Sequence, residues 1–234
     1  FLILFIPAFI TILILLAARI KVASPQKLEE DDGTVGAERI KGNAPLSPAF
    51  WLYTAFSFLC VTGFINFQVM SYHFKVKSVM PDVQIPLFYV AAMAIDGVSA
   101  LGIGKIYDKV GLKAVLVTPF LSALIPFFAF STNYTFVIIS VIFWGAVMGI
   151  HETIMRAAIA DQTNIDKRGL AYGIFNTVYG LAFLISSFLT GFLYDKAPVF
   201  IPVFVVVAQF FSLVVFFYLN RLLDRERKME EKGV

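Results

Sequence analysis

Apolar residues fall into seven long runs divided by short polar stretches. The runs are about Phe1–Ala18, Phe50–Tyr72, Pro86–Tyr107, Ala114–Phe130, Tyr134–Ala157, Gly169–Tyr194 and Val199–Leu219. A helix needs roughly twenty apolar residues to cross a bilayer, so each run predicts one membrane-spanning helix. The first and fourth are short. The fourth carries Pro119 and Pro126, which a membrane helix tolerates as kinks. The pattern predicts an all-α, multi-pass helix bundle. The chain opens at Phe1 inside an apolar run and without methionine, which reads as a piece of a longer protein. No basic region precedes that run, so it reads as a helix and not a signal peptide.

Composition agrees. Hydrophobic residues make up 59% of the 234 and charged residues 15%, against about 25% charged in ordinary soluble domains. No soluble core hides that much apolar surface, so the surrounding solvent is a lipid bilayer. The net charge of +3 gives no reason to expect a nucleic-acid partner. Charge placement carries more information. Of 19 lysines and arginines, 16 fall on one side of a seven-span topology, in the segments after spans one, three, five and seven; only Lys75, Lys77 and Lys196 fall on the other. The basic side is expected to be cytoplasmic, which puts the carboxy terminus inside the cell membrane. Residues 19–48, with Glu29 to Asp32 and Pro25, Pro45 and Pro48, read as a polar cytoplasmic linker. The expected division is a helix over 1–18, the linker, a six-helix domain over 49–220 and a tail over 221–234. Cys60 is the single cysteine and reads as a packing residue.

Gly104-Lys105-Ile106-Tyr107-Asp108-Lys109 closes the third run, and Gly191-Phe192-Leu193-Tyr194-Asp195-Lys196 closes the sixth. Three spans separate them, so the copies lie on opposite faces. That is the arrangement of an inverted three-plus-three repeat, although an aromatic residue followed by charges is also an ordinary interfacial ending. Gly145-x-x-x-Gly149 and the pair Gly173 and Gly180 offer smooth helix faces for packing.

Ionisable residues inside spans are costly and therefore informative. Asp96 lies about ten residues into its span, near mid-depth at about 1.5 Å per residue, beside Gly97 and Ser99. It is a candidate for substrate or coupling-ion binding. His151 is another. Glu152 and Arg156 are four apart on one helix face and can pair, as a gate or as a fixed ion pair. Asn66, Gln68, Asn176 and Gln209 are polar within spans, as cavity lining or as interhelical hydrogen bonds. His151-Glu152-x-x-Met155 lacks the second imidazole of a zinc site. There is no phosphate-binding loop, no nucleophile elbow and no cysteine cluster. No metal, cofactor or enzymatic activity is expected.

Gly104-x-x-x-Asp108-Lys109-x-Gly111-x-Lys113 resembles the Gly-x-x-x-Asp-Arg/Lys-x-Gly-Arg/Lys-Arg/Lys loop of the major facilitator superfamily, with Leu112 in place of one base. Arg156, Asp161 and Lys167-Arg168-Gly169-x-Ala171-x-Gly173 look like that family's tenth helix, its following loop and its eleventh-helix entry. The resemblance covers about Phe50 to Leu219. It implies the carboxy-terminal six helices of a twelve-helix transporter, preceded by the sixth helix over 1–18 and the central loop over 19–48. It also implies a missing amino-terminal six-helix half as partner, and alternating access of a small-molecule substrate. Asp108, with Gly104, Lys109, Gly111 and Lys113, would form a conformational latch between helices eight and nine. Glu152, Arg156, Asp161 and Arg168 would form a gate. The expectation is a secondary transporter, coupled to a proton or an ion as a symporter or antiporter through Asp96 or Glu152. A seven-helix receptor is the alternative that shares the topology; it lacks the Glu/Asp-Arg-Tyr and Asn-Pro-x-x-Tyr signatures.

Overall fold

The computed structural model describes residues 9–14, 16–17 and 46–230. The chain divides into two compact units, Phe1–Ala44 and Pro45–Val234. In the first unit, residues 9–14 and 16–17 are helical and exposed. The rest of the expected first span and residues 19–45 of the expected linker lie outside the described residues, as do residues 231–234 of the tail.

The second unit is helical throughout, with no strand among its described residues. Its helices are α1 (Pro48–Thr62), α2 (Phe67–Val76), α3 (Gln84–Val110), α4 (Val117–Ala129), α5 (Tyr134–Asp161), α6 (Arg168–Lys196) and α7 (Phe200–Glu230). Short 3₁₀ turns cover Gly111–Leu116 and Ile165–Lys167. Five helical segments are long and apolar enough to cross a membrane: Pro48–Val76, Gln84–Ala129, Tyr134–Asp161, Ile165–Lys196 and Phe200–Glu226. The second has 46 residues. At about 1.5 Å per residue that is twice a bilayer core of about 30 Å, so it must fold back. The reversal is at Gly111, whose φ of 62° glycine adopts without a Cβ clash. Six crossings result.

The core confirms the alternation, because it lies as two clusters at opposite ends of the bundle. One joins the start of α1, the end of α3, Ala114 and Val115, the ends of α5 and α7 and the start of α6. The other joins α2, Ala92 near the start of α3, the end of α4 and the starts of α5 and α7. Helices therefore run alternately up and down. The main packing pairs are α3 on α5, α1 on α7, α4 on α5, α1 on α6 and α4 on α7. Exchanging the broken helix α1–α2 with α5, α3 with α6 and α4 with α7 maps this set onto itself, as an inverted repeat requires.

The run over Phe50–Tyr72 is not one helix. It breaks at Gly63–Asn66, between α1 and α2. The carbonyls released there are bonded by side chains from three other helices. Gln209 Nε2 donates to Cys60 O at 2.9 Å, Ser186 Oγ to Phe64 O at 2.5 Å, and Trp144 Nε1 to Ile65 O at 2.8 Å. Asn66 Nδ2 donates to Ser187 Oγ. In hydrocarbon an unpaired backbone group costs several kcal/mol, so a break survives only with such partners. Gly63 is required by space: a Cβ there would stand 2.7 Å from Gln209 Nε2 and 2.9 Å from Ala208 Cβ.

The two predicted glycine faces behave differently. A Cβ at Gly145 would fall 2.4 Å from Ala92 O, and one at Gly149 would fall 2.5 Å from Asp96 O. That pair lets α5 touch the α3 backbone. Gly173 and Gly180 have nothing within 4 Å; their face of α6 is open in this unit.

Candidate functional site

The crossing of α3 and α5 builds the centre of the site. Asp96 is half-buried on α3. Its Oδ1 would lie 3.0 Å from a Cβ on Gly149, so the carboxyl sits against the α5 surface. Glu152 is exposed and lies three residues beyond Gly149, on the same side of α5. Two carboxyl groups therefore share one mid-bundle face. Glu152 and Arg156 make no ion pair among the described residues. Both are exposed. Arg156 is held through its main chain, where the carbonyl accepts from Tyr172 Oη at 3.2 Å.

His151 faces the other way. It is fully buried, edge-on to Phe64 at 4.9 Å and to Tyr179 at 6.2 Å between ring centroids. Among the described residues, neither ring nitrogen has a hydrogen-bond partner, and neither does the Tyr179 hydroxyl. Asn66 is buried and bonded to Ser187, and Gln209 is buried and bonded to Cys60. Both are committed to packing at the helix break. Gln68 and Asn176 are exposed. Asn176 lies on the open face of α6 that carries Gly173, Thr177 and Gly180.

In the charged turn, Asp108, Lys109 and Lys113 are exposed and Gly104 and Gly111 are intermediate. Asp108 makes no hydrogen bond or ion pair among the described residues. Asp161, at the end of α5, accepts a 2.6 Å bond from Tyr107 Oη. Arg168 opens α6. The four expected gate residues are thus distributed over the α5–α6 end of the bundle, with Asp161 tied to α3.

At the other end of the bundle, Tyr194 of α6 lies with its hydroxyl 2.9 Å from His73 Nδ1 of α2. Under the exchange of helices described above, Tyr107–Asp161 becomes Tyr194–His73. The repeated Gly-x-x-Tyr-Asp-Lys ending therefore does the same task twice: its tyrosine reaches to the end of the neighbouring helix of the opposite repeat. His73, Tyr179, Trp144 and Ser186 were not singled out from the sequence. Only Tyr194 carried a signal there, as part of the repeat. The others are ordinary apolar-run residues until the helices meet.

Comparison with known proteins gives a consistent picture. Residues 80–233 match the Major Facilitator Superfamily, a family of membrane transporters. Uncharacterized proteins of Mycobacterium tuberculosis and Mycobacterium bovis are 34% identical to the chain over 212 residues, 91% of its length. The alignment takes in 52% of each relative, so the chain spans about half the length of the curated relatives it matches. No solved structure matches it. With six alternating crossings, the repeat and this match together, the chain belongs to the Major Facilitator Superfamily.

Proposed function

We propose that this chain is the carboxy-terminal half of a secondary active transporter that moves a small solute by alternating access. Coupling to a proton or another ion runs through Asp96 and Glu152. One observation carries the reading. Beside exposed bulky residues such as Val98, Leu101, Leu181 and Leu184, α3 and α6 each carry a stripe of small and polar residues (Asp96, Gly97, Gly173, Asn176, Thr177, Gly180) where lipid alone would favour bulky apolar ones. Those faces fit a partner bundle and a watered cavity between the halves. The partner is an amino-terminal six-helix half, which the length of the relatives leaves room for. The family match lends the receptor alternative no support.

In this scheme the Gly104–Lys113 turn and the carboxy-terminal end of α7 lie on the cytoplasmic face of the cell membrane, as the lysine and arginine bias requires. Asp108 has no partner among the described residues, which suits a latch that closes onto the other half in one conformation. Asp96 faces the cavity, with Glu152 beside it as the second carboxylate. Putting two carboxylates side by side at mid-depth is unfavourable unless a proton, a cation or a cationic group joins them, which is how an ion gradient would be felt.

The test replaces Asp96 with Asn in the full-length protein reconstituted into vesicles. Uptake should lose its dependence on the pH or ion gradient while facilitated exchange persists. Uptake with unchanged gradient dependence would sink the coupling role.

A further inference from the structure

The His73–Tyr194 contact has a property that its counterpart Tyr107–Asp161 lacks, because one partner is an imidazole. His73 is 2% exposed. Its ring stands edge-on to Phe130 of α4 at 5.1 Å and to Tyr194 of α6 at 5.7 Å. One side chain on α2 therefore joins the ends of three helices. Nδ1 meets the Tyr194 hydroxyl, and Nε2 is buried without a partner among the described residues.

A neutral ring fits this pocket and a cation does not. With Nδ1 accepting from the Tyr194 hydroxyl, the neutral ring carries its one N–H at Nε2. The added proton goes to Nδ1, which can then no longer accept from Tyr194, and the ring is left with a charge that has no partner among the described residues. A buried charge without a partner is among the costliest arrangements in a protein interior. The surrounding groups do not help. On α2, Tyr72 stands edge-on to Tyr194 at 5.4 Å and Lys75 is engaged with Asp82 at 3.2 Å, while Lys77, just past the helix end, is exposed. On α6, Tyr194 is followed by Asp195 and Lys196, both exposed. On α4, Phe130 is followed by Ser131, Thr132 and Asn133, which carry no charge. No carboxylate lies within ion-pair reach of the imidazole among the described residues. What the ring holds is also the least anchored element of its span: α2 has ten residues and is cut from α1 by the break.

We propose that the His73–Tyr194 pair is an acid-sensitive clasp on α2: when the imidazole gains a proton, α2 is released from α6 and α4, while the Tyr107–Asp161 end of the bundle stays closed. Histidine is the side chain whose ordinary titration falls in the physiological range. On the orientation proposed above, the clasp faces the outside of the cell. The inference stands on the bundle alone and does not depend on transport.

Amide hydrogen exchange of this chain in lipid nanodiscs, at about pH 8 and about pH 5.5, tests it, with rates corrected for intrinsic chemistry. In the unaltered chain, exchange over residues 67–77 should rise about tenfold at the lower pH, the factor carried by one pKa unit of differential protonation. Residues 104–110 should not respond. His73→Gln, which keeps an acceptor for the Tyr194 hydroxyl, should flatten the rise to less than about twofold. Tyr194→Phe should raise exchange at both pH values. Asp82→Asn should leave the acid response in place. A flat profile in the unaltered chain, a His73→Gln profile matching it, equal loosening over 104–110, or loss of the response in Asp82→Asn would each overturn the proposal.

Discussion

At the scale of single residues, the tightest constraint is the backbone contact at Gly145 and Gly149. Adding one methyl at Gly145 drives it into Ala92 O. The gain in helix propensity, about 1 kcal/mol, is smaller than the overpacking cost of about 1–3 kcal/mol. Gly145→Ala should therefore lower the thermal midpoint of the detergent-solubilised chain, while Gly102→Ala, with open space around it, should hold or raise it. Equal midpoints would show that α3 and α5 do not touch there. Asp108 calls for a different readout. It bonds to nothing among the described residues, so Asp108→Asn in the full-length protein should leave this unit's stability unchanged. Its effect should appear in transport rate and conformational bias more than in substrate choice. A changed substrate preference with an unchanged rate would remove it from the latch.

At the scale of elements, the break between α1 and α2 is the feature that side chains hold most directly. Its carbonyls are bonded from α5, α6 and α7, and losing one donor leaves a buried acceptor unpaired, at a cost of about 1–3 kcal/mol. Gln209→Leu should destabilise the chain by that order and raise hydrogen exchange around Gly63–Asn66. Trp144→Phe keeps the ring beside Phe64, now stacked at 5.5 Å, and should do the same on a smaller scale. Unaltered exchange in both variants would mean the backbone there finds its own partners. This is also where sequence reading reached its limit. Gly63 sits in an unbroken apolar run, and the donors that make a break affordable lie 79 to 149 residues away, visible only once the helices are packed. By contrast, the six crossings were legible from apolar runs and lysine placement, because the bilayer fixes helix length and flanking charge locally. The turn at Gly111 was legible too, since glycine and charge coincide there. The α3–α5 contact was half legible: the Gly145–Gly149 spacing announced a close face, but not that Asp96 would lie upon it. The expected Glu152–Arg156 pair shows the same limit. Spacing of four residues permits a pair, while the neighbours on α3 and α6 decide where each side chain goes.

At the scale of the whole molecule, the inverted repeat organises everything else. It gives each end of the bundle a core cluster, a Gly-x-x-Tyr-Asp-Lys ending and a tyrosine that crosses to the opposite repeat. It also leaves α3 and α6, which are related by the repeat, as the two helices with the least burial. On the proposed reading, these are the faces that meet a partner half and a cavity. On that proposal a single half has no second wall, so this chain alone in vesicles should show no saturable uptake, and adding the proposed amino-terminal half should restore it. Saturable uptake by this chain alone would refute the division of labour.

The most direct measurement concerns access to Asp96. Gly97 is exposed beside it and has open space around it. Cys60 is the one cysteine in these 234 residues and is buried; the amino-terminal half is used in a cysteine-free form. With Cys60 replaced by Ala and a cysteine introduced by Gly97→Cys, the chain joined to its amino-terminal half can be treated with a membrane-impermeant thiol reagent from either face. Alternating access predicts modification from both faces while the membrane stays sealed to the reagent throughout. Modification from one face only, or from neither, would contradict it.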